Sequence, residues 1–119
     1  MTDIWRSFSG APAEGTELCR AEEIPEPGTR GVAPGGFPIL LVRRAGRLLG
    51  YVNACPHQDL PLDYRGQQVL SADGTILRCT NHEAGFDAET GEGVDGFGLG
   101  CELDPVPVTV RDDGVVIVG

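Results

Sequence analysis

The sequence predicts an all-β domain, a small antiparallel barrel or sandwich. Apolar and β-branched runs of four to eight residues recur along the chain, the length and composition of short strands with a buried face. Turn dipeptides separate them, at Ala45-Gly46, Asp73-Gly74, Thr90-Gly91 and Asp113-Gly114, and such pairs favour the backbone geometry of tight hairpins. The 18 glycines and 9 prolines interrupt the chain too often for long helices, and no segment keeps a 3.6-residue period beyond two turns.

Taken in order, the expected strands lie near 16–20, 31–33, 39–44, 47–53, 75–79, 85–88, 106–111 and 115–118. The pair 39–44 and 47–53 flanks Ala45-Gly46, and 106–111 and 115–118 flank Asp113-Gly114, so both read as hairpins. The strand at 75–79 follows Asp73-Gly74, and that at 85–88 precedes Thr90-Gly91. The segment "AEEIPEPGTRGVAPGGFP" is rich in Pro and Gly, with strand-like runs on both sides and no second core to connect. It reads as a surface loop around a short strand rather than a linker.

At 119 residues the chain is the size of one domain, 1–119, with room for a single core. The most apolar stretch, "FPILLV", ends at Arg43 and Arg44, far short of the roughly 18–20 residues that span a bilayer. The first residues lack the basic start, apolar run and twin arginine of an export signal, and a soluble cytoplasmic protein is expected. A formal charge of −9 and no lysine disfavour nucleic acid and anionic membrane as partners. Acids gather at Glu83, Asp87, Glu89, Glu92, Asp95, Glu102 and Asp104, with no arginine between them. Such a run is either a solvated face or an acidic rim that steers a basic redox partner.

Both histidines of the chain lie within three residues of a cysteine, as Cys55-Pro56-His57 and Cys79-Thr80-Asn81-His82. Each pair directly follows an expected strand, so two loops at the end of one small sheet can face each other, at about 54–60 and 78–85. Four cysteines would permit two disulfides in a secreted protein, but closely spaced Cys and His in a reducing compartment favour metal. Alternating Cys-His order, with residues 58–78 between the pairs, matches the iron-sulfur centres in which two histidines replace two cysteines on one of two irons. The common zinc finger places two cysteines before two histidines. A structural zinc site accepts the same atoms in a tetrahedron and stays open, as does the reading of four unrelated buried residues.

At these positions the chain resembles the Rieske family. The signature reads "CPH" and "CTNH", followed by "FDAETGEGV", and "LPLDYRGQQVLSADGTILRC" is similar to the intervening segment of small bacterial Rieske-type proteins. The resemblance runs from about Leu18 to Val118, and its specific part is the four ligand positions with their flanks. It implies three small antiparallel sheets with two cluster-binding loops at one end. It implies further that Cys55 and Cys79 hold the inner iron of one 2Fe-2S cluster and His57 and His82 the outer iron. Two ferric ions, two sulfides and two thiolates sum to zero charge, so an electron enters more easily than with four thiolates, and reduction makes the outer imidazoles more basic.

Departures from the family pattern narrow the subtype. High-potential members carry a disulfide between the loops, where Leu60 and Asn81 stand here, and a serine whose hydroxyl donates to a cluster sulfur, where Ala84 stands. Loss of such donors lowers the potential. Glu83 replaces a common glycine and adds an anion next to His82. A low-potential, ferredoxin-like protein is implied. Cys19, inside a strand, reads as a small hydrophobe, and Cys101 lies in the region that covers the cluster in relatives. Pro56 is expected to stiffen the first loop and "FGLG" to form a third, shielding loop. Trp5, Phe8, Phe37, Tyr51 and Phe97 read as packing residues.

Rieske-type oxygenases need a further iron held by two histidines and a carboxylate, and both histidines here are already assigned. The chain is therefore expected to be no self-contained enzyme but an electron-transfer protein, passing single electrons between a reductase and an oxygenase or other redox enzyme. A tightly bound small subunit of a larger oxidoreductase, of the nitrite reductase type, is the alternative that keeps the cluster. A zinc-stabilised or cluster-sensing interaction module is the alternative from another class.

Overall fold

The computed structural model describes residues 10–44, 46–54, 62, 69–71, 74–79, 84–96 and 101–119. Nine strands are defined among them: β1 (Glu17–Arg20), β2 (Gly28–Val32), β3 (Ile39–Arg44), β4 (Arg47–Val52), β5 (Ile76–Arg78), β6 (Gly85–Asp87), β7 (Gly93–Asp95), β8 (Val108–Val110) and β9 (Val115–Val118). They form three antiparallel sheets of three strands, in the orders β1-β9-β8, β2-β3-β4 and β5-β6-β7. Short 3-10 turns at Ala21–Glu23 and Pro34–Gly36 are the helical elements among the described residues.

The β3-β4 hairpin is the centre of the molecule. Ile39, Leu40, Leu41 and Val42 are all fully buried, so both faces of β3 meet a core and the run shows no alternation. Leu40 and Val42 join Tyr51, Leu62, Leu77, Cys79 and Phe86 on one side. Ile39 and Leu41 join Ile24, Val106, Val116 and Val118 on the other. The first core underlies β5-β6-β7 and the second lies beneath β1-β9-β8, with β2-β3-β4 shared between them.

The third sheet is tied to the second by polar contacts as well as by packing. Tyr51 on β4 donates its buried hydroxyl to the Ala88 carbonyl at 2.9 Å, and burial, with Asp87 and Glu89 nearby, pushes the phenol far above its ordinary range. Arg44 on β3 donates to the Gly74 carbonyl ahead of β5 and to the Glu89 carboxylate beyond β6. Arg47 completes the group, 3.0 Å from Glu89.

The ladders extend and shorten some expected strands. β2 begins at Gly28, earlier than 31–33 suggested, because Gly28 and Thr29 pair with Arg43 and Val42 of β3. β7 was not expected: Gly93 pairs with Phe86 and Asp95 with Gly85, leaving a bulge between. The run 106–111 narrows to Val108–Val110 because the Val106 N–H is diverted to Gly50 at 2.8 Å and Pro107 has no N–H to give. Phe37 and Tyr51 are buried packing residues as expected; Trp5, Phe8, Pro56 and the "FGLG" segment lie outside the described residues.

Candidate metal centre

Cys79 stands at the base of a three-stranded sheet. The β5-β6 hairpin pairs Leu77 with Phe86 and Arg78 with Gly85, and one step further the Cys79 N–H donates to the Ala84 carbonyl at 2.9 Å. That bond closes the connection in which His82 lies. The Cys79 side chain is 1% exposed and Ala84 and Phe86 are fully buried beside it in the same core. Cys79 is not in a disulfide. A buried free thiol whose backbone is fixed by a ladder is a preorganised sulfur donor.

The first pair is approached from β4. Val52 donates its N–H to the Asp104 carbonyl at 2.9 Å, and Asn53 donates to Pro38 at 3.1 Å. The chain then runs through Ala54 to Cys55. It is met again at Leu62, fully buried in the core that holds Cys79, and from there at Val69. The Val69 carbonyl accepts the Arg78 N–H at 2.8 Å, the Ser71 N–H donates to Ile76, and Leu70 bridges Leu77. Residues 69–71 thus flank β5, and the segment leaving the first loop is stitched to the strand entering the second.

Of the four expected ligands the structure places Cys79; Cys55, His57 and His82, together with Leu60, Asn81 and Glu83, lie outside the described residues. The described member of the expected set, Cys79, is a buried thiol at a hairpin base, and a sulfur donor of that kind fits a 2Fe-2S group. Sequence reasoning missed Asn53, whose side-chain oxygen accepts the Leu62 N–H at 2.8 Å. It also missed the Arg44–Glu89 pair. Neither has a spacing signal: Asn53 and Leu62 meet across a loop, and Arg44 and Glu89 come from the surroundings of different sheets, remote in sequence.

The remaining cysteines and acids take defined places. Cys19, on β1, is half-buried against the second core, and burial pushes its thiol up. Cys101 packs against the core that contains Cys79, and its carbonyl accepts the Gly93 N–H at 2.8 Å. Two acids of the run are engaged internally: Glu89 is ion-paired, and the Asp87 carboxylate accepts the N–H groups of Glu89 and Thr90 at 2.8 and 3.2 Å. Glu92 and Glu102 are exposed and face each other across an isolated bridge. Burial, together with Glu102, raises the carboxyl of Asp104 above its ordinary value.

The profile of the Rieske [2Fe-2S] domain matches residues 14–101, and the chain belongs to this family. Membership brings a 2Fe-2S cluster held by two cysteines and two histidines. A comparison with curated protein sequences finds no match. Solved structures agree with the fold. The ferredoxin of carbazole 1,9a-dioxygenase from Nocardioides aromaticivorans IC177 superposes with a TM-score of 0.74 at 17% identity, over 90% of this chain and 98% of that one. The Sphingomonas yanoikuyae B1 ferredoxin gives 0.70 at 26% identity, over 87% and 96%. A chain from the complex of reduced oxygenase and oxidized ferredoxin in carbazole 1,9a-dioxygenase gives 0.70 at 23% identity, over 87% and 90%.

Proposed function

We propose that Cys55, His57, Cys79 and His82 hold the cluster, and that the chain carries single electrons between a reductase and an oxygenase or other redox enzyme. The observation that carries the reading is the buried thiol of Cys79 at the closed base of the β5-β6 hairpin, in a chain that belongs to the Rieske family. The two histidines of the whole chain are the two in the Cys-His pairs, so the family's ligand count is met with none to spare. When bound, the cluster stores one electron. The chain's own part is to hold the described ends of the two loops, Leu62 and Cys79, in one core and to keep water from the Cys79 sulfur.

The full-length likeness to two ferredoxins supports a carrier rather than a catalyst, and an oxygenase has been captured with such a ferredoxin. An additional mononuclear iron would need two more histidines. Among the described residues no helix is long and apolar enough to cross a membrane. We further propose a cytoplasmic location from the closely spaced Cys and His pairs, which favour metal binding in a reducing compartment.

Electron paramagnetic resonance of anaerobic, dithionite-reduced protein, with iron and acid-labile sulfide assayed on the same sample, tests the ligand assignment. A rhombic signal of low average g with equal iron and sulfide is expected, altered or lost in His57→Cys and His82→Cys. A colourless, silent protein containing zinc would overturn it.

A further inference from the structure

The two loops are closed at their bases by different means. In the second, Cys79 and Ala84 continue the β5-β6 ladder, so the backbone itself closes the loop with a 2.9 Å bond. Among the described residues no ladder closes the first. It leaves β4, an element of the second sheet, and returns to residues 69–71, which flank β5 in the third. Strands of different sheets share no register, so neither sheet's ladder runs on across the described ends of this loop.

A side chain bridges the described ends of this loop. Asn53 is the buried polar residue of the described core, 5% exposed. Its own N–H is fixed to the Pro38 carbonyl, and its Oδ1 accepts the backbone N–H of Leu62 at 2.8 Å. Leu62 is fully buried in the core that contains Cys79. Cys55 and His57 lie in sequence between the two bonded residues. A buried hydrogen bond of this kind is costly to lose, because it is made in an apolar setting where water does not replace it.

We infer that Asn53 is a positioning residue for the first half-site: its amide closes the neck of the 53–62 loop and references Cys55 and His57 to the core that carries Cys79. The inference rests on the assignment of Cys55 and His57 as ligands. Asn53 touches no cluster atom in this role and acts through the loop geometry.

Asn53→Ala and Asn53→Asp test it, the second keeping an acceptor oxygen of the same reach. The readouts are far-UV circular dichroism, the rate of iron loss to a chelator, and the g-values and midpoint potential of the cluster. Asn53→Ala is expected to keep the wild-type dichroism, lose iron about tenfold faster, the factor one such hydrogen bond is worth, and show shifted g-values and potential. Asn53→Asp is expected to bring iron loss back to within about threefold of wild type. An Asn53→Ala protein with wild-type g-values, potential and iron loss overturns the inference. So does a folded Asn53→Asp protein that loses iron as fast as Asn53→Ala. If Asn53→Ala does not fold, Asn53→Asp decides by its iron-loss rate, and failure of both to fold assigns Asn53 to the scaffold and overturns the loop role. A Cys55→Ser control separates the underlying assignment: if it retains the wild-type cluster, the ligand assignment is what has failed.

Discussion

Ala84 is where one added atom at the loop base would be expected to change a redox property. Its side chain is fully buried and its carbonyl holds Cys79 in place. A serine there would supply a hydroxyl donor beside the proposed sulfur ligands without changing the backbone. Donors to cluster sulfur favour the reduced state, and a charge-assisted hydrogen bond of about 1.5 kcal/mol corresponds to roughly 60 mV for one electron. Ala84→Ser is expected to raise the midpoint potential by about that amount in protein-film voltammetry, and an unchanged potential would place Ala84 away from the sulfurs. Gly91 makes the opposite point, since there any added atom is harmful. Its φ is +79°, and a Cβ would lie 2.9 Å from the Tyr51 ring and 3.1 Å from the Leu103 carbonyl. Gly91→Ala is expected to cost about 2–3 kcal/mol in urea unfolding, combining overpacking with left-handed strain. At this scale the ligand types were legible because metal chemistry requires Cys and His at short spacing. Asn53 was not: its role depends on Leu62 lying at 2.8 Å, which no local pattern encodes.

Short strands were legible where a buried face gave them apolar residues, and illegible where pairing alone makes them. Ile39–Arg44 and Val115–Val118 carry their own hydrophobic runs and fell where the sequence placed them. Gly93–Asp95 offers one apolar residue, Val94, which is exposed; it is a strand because β6 presents free carbonyls and amides to it. The expected start at Gly31 failed for the same reason, as Gly28 and Thr29 complete a ladder set by β3. Between elements, the part-buried Arg44–Glu89 pair joins the β3-β4 hairpin to the turn after β6, with the Gly74 carbonyl as a second acceptor for Arg44. Removing Arg44 leaves both the Glu89 carboxylate and that carbonyl short of a partner, although Arg47 still faces Glu89. Arg44→Met is expected to lower the urea midpoint by the equivalent of about 1–3 kcal/mol with an unchanged m-value, discounted from a fully buried pair because both groups keep some solvent contact. That loss should persist at 0.5 M salt. The exposed Arg111–Asp113 pair should contribute little by comparison at either ionic strength.

At the scale of the molecule, the described residues combine paired charges with one group of acids on a stretch of chain that has no arginine. Arginines 20, 43, 44, 47 and 111 are engaged with Glu22, Glu26, Glu89, Glu17 and Asp113, while Glu92, Glu102 and Asp104 sit together without an arginine from 83 to 104. The folded pKa of Asp104 is raised, so the folded state holds its proton more tightly than the unfolded chain does. Stability from this group is therefore greatest at low pH and declines as pH rises from the ordinary carboxylate value through the raised one. Asp104→Asn should remove that decline, stabilising the protein at pH 7 relative to wild type but not at pH 3.5, as urea midpoints would show. An arrangement that costs stability near the sheet that leads into Cys79 suits service to a partner: Gly93, next to Glu92, pairs with Phe86 on the strand that follows the Cys79–Ala84 closure. If this rim steers cations, oxidation of the reduced protein by a small cationic complex such as hexaamminecobalt(III) should slow as salt rises, and oxidation by anionic ferricyanide should quicken. Glu92→Gln combined with Glu102→Gln should flatten the salt dependence for the cation and leave the midpoint potential nearly unchanged. Equal salt slopes in the variant and the wild type would instead make the run a solvated face that serves solubility alone, because long-range net charge would then account for the whole effect.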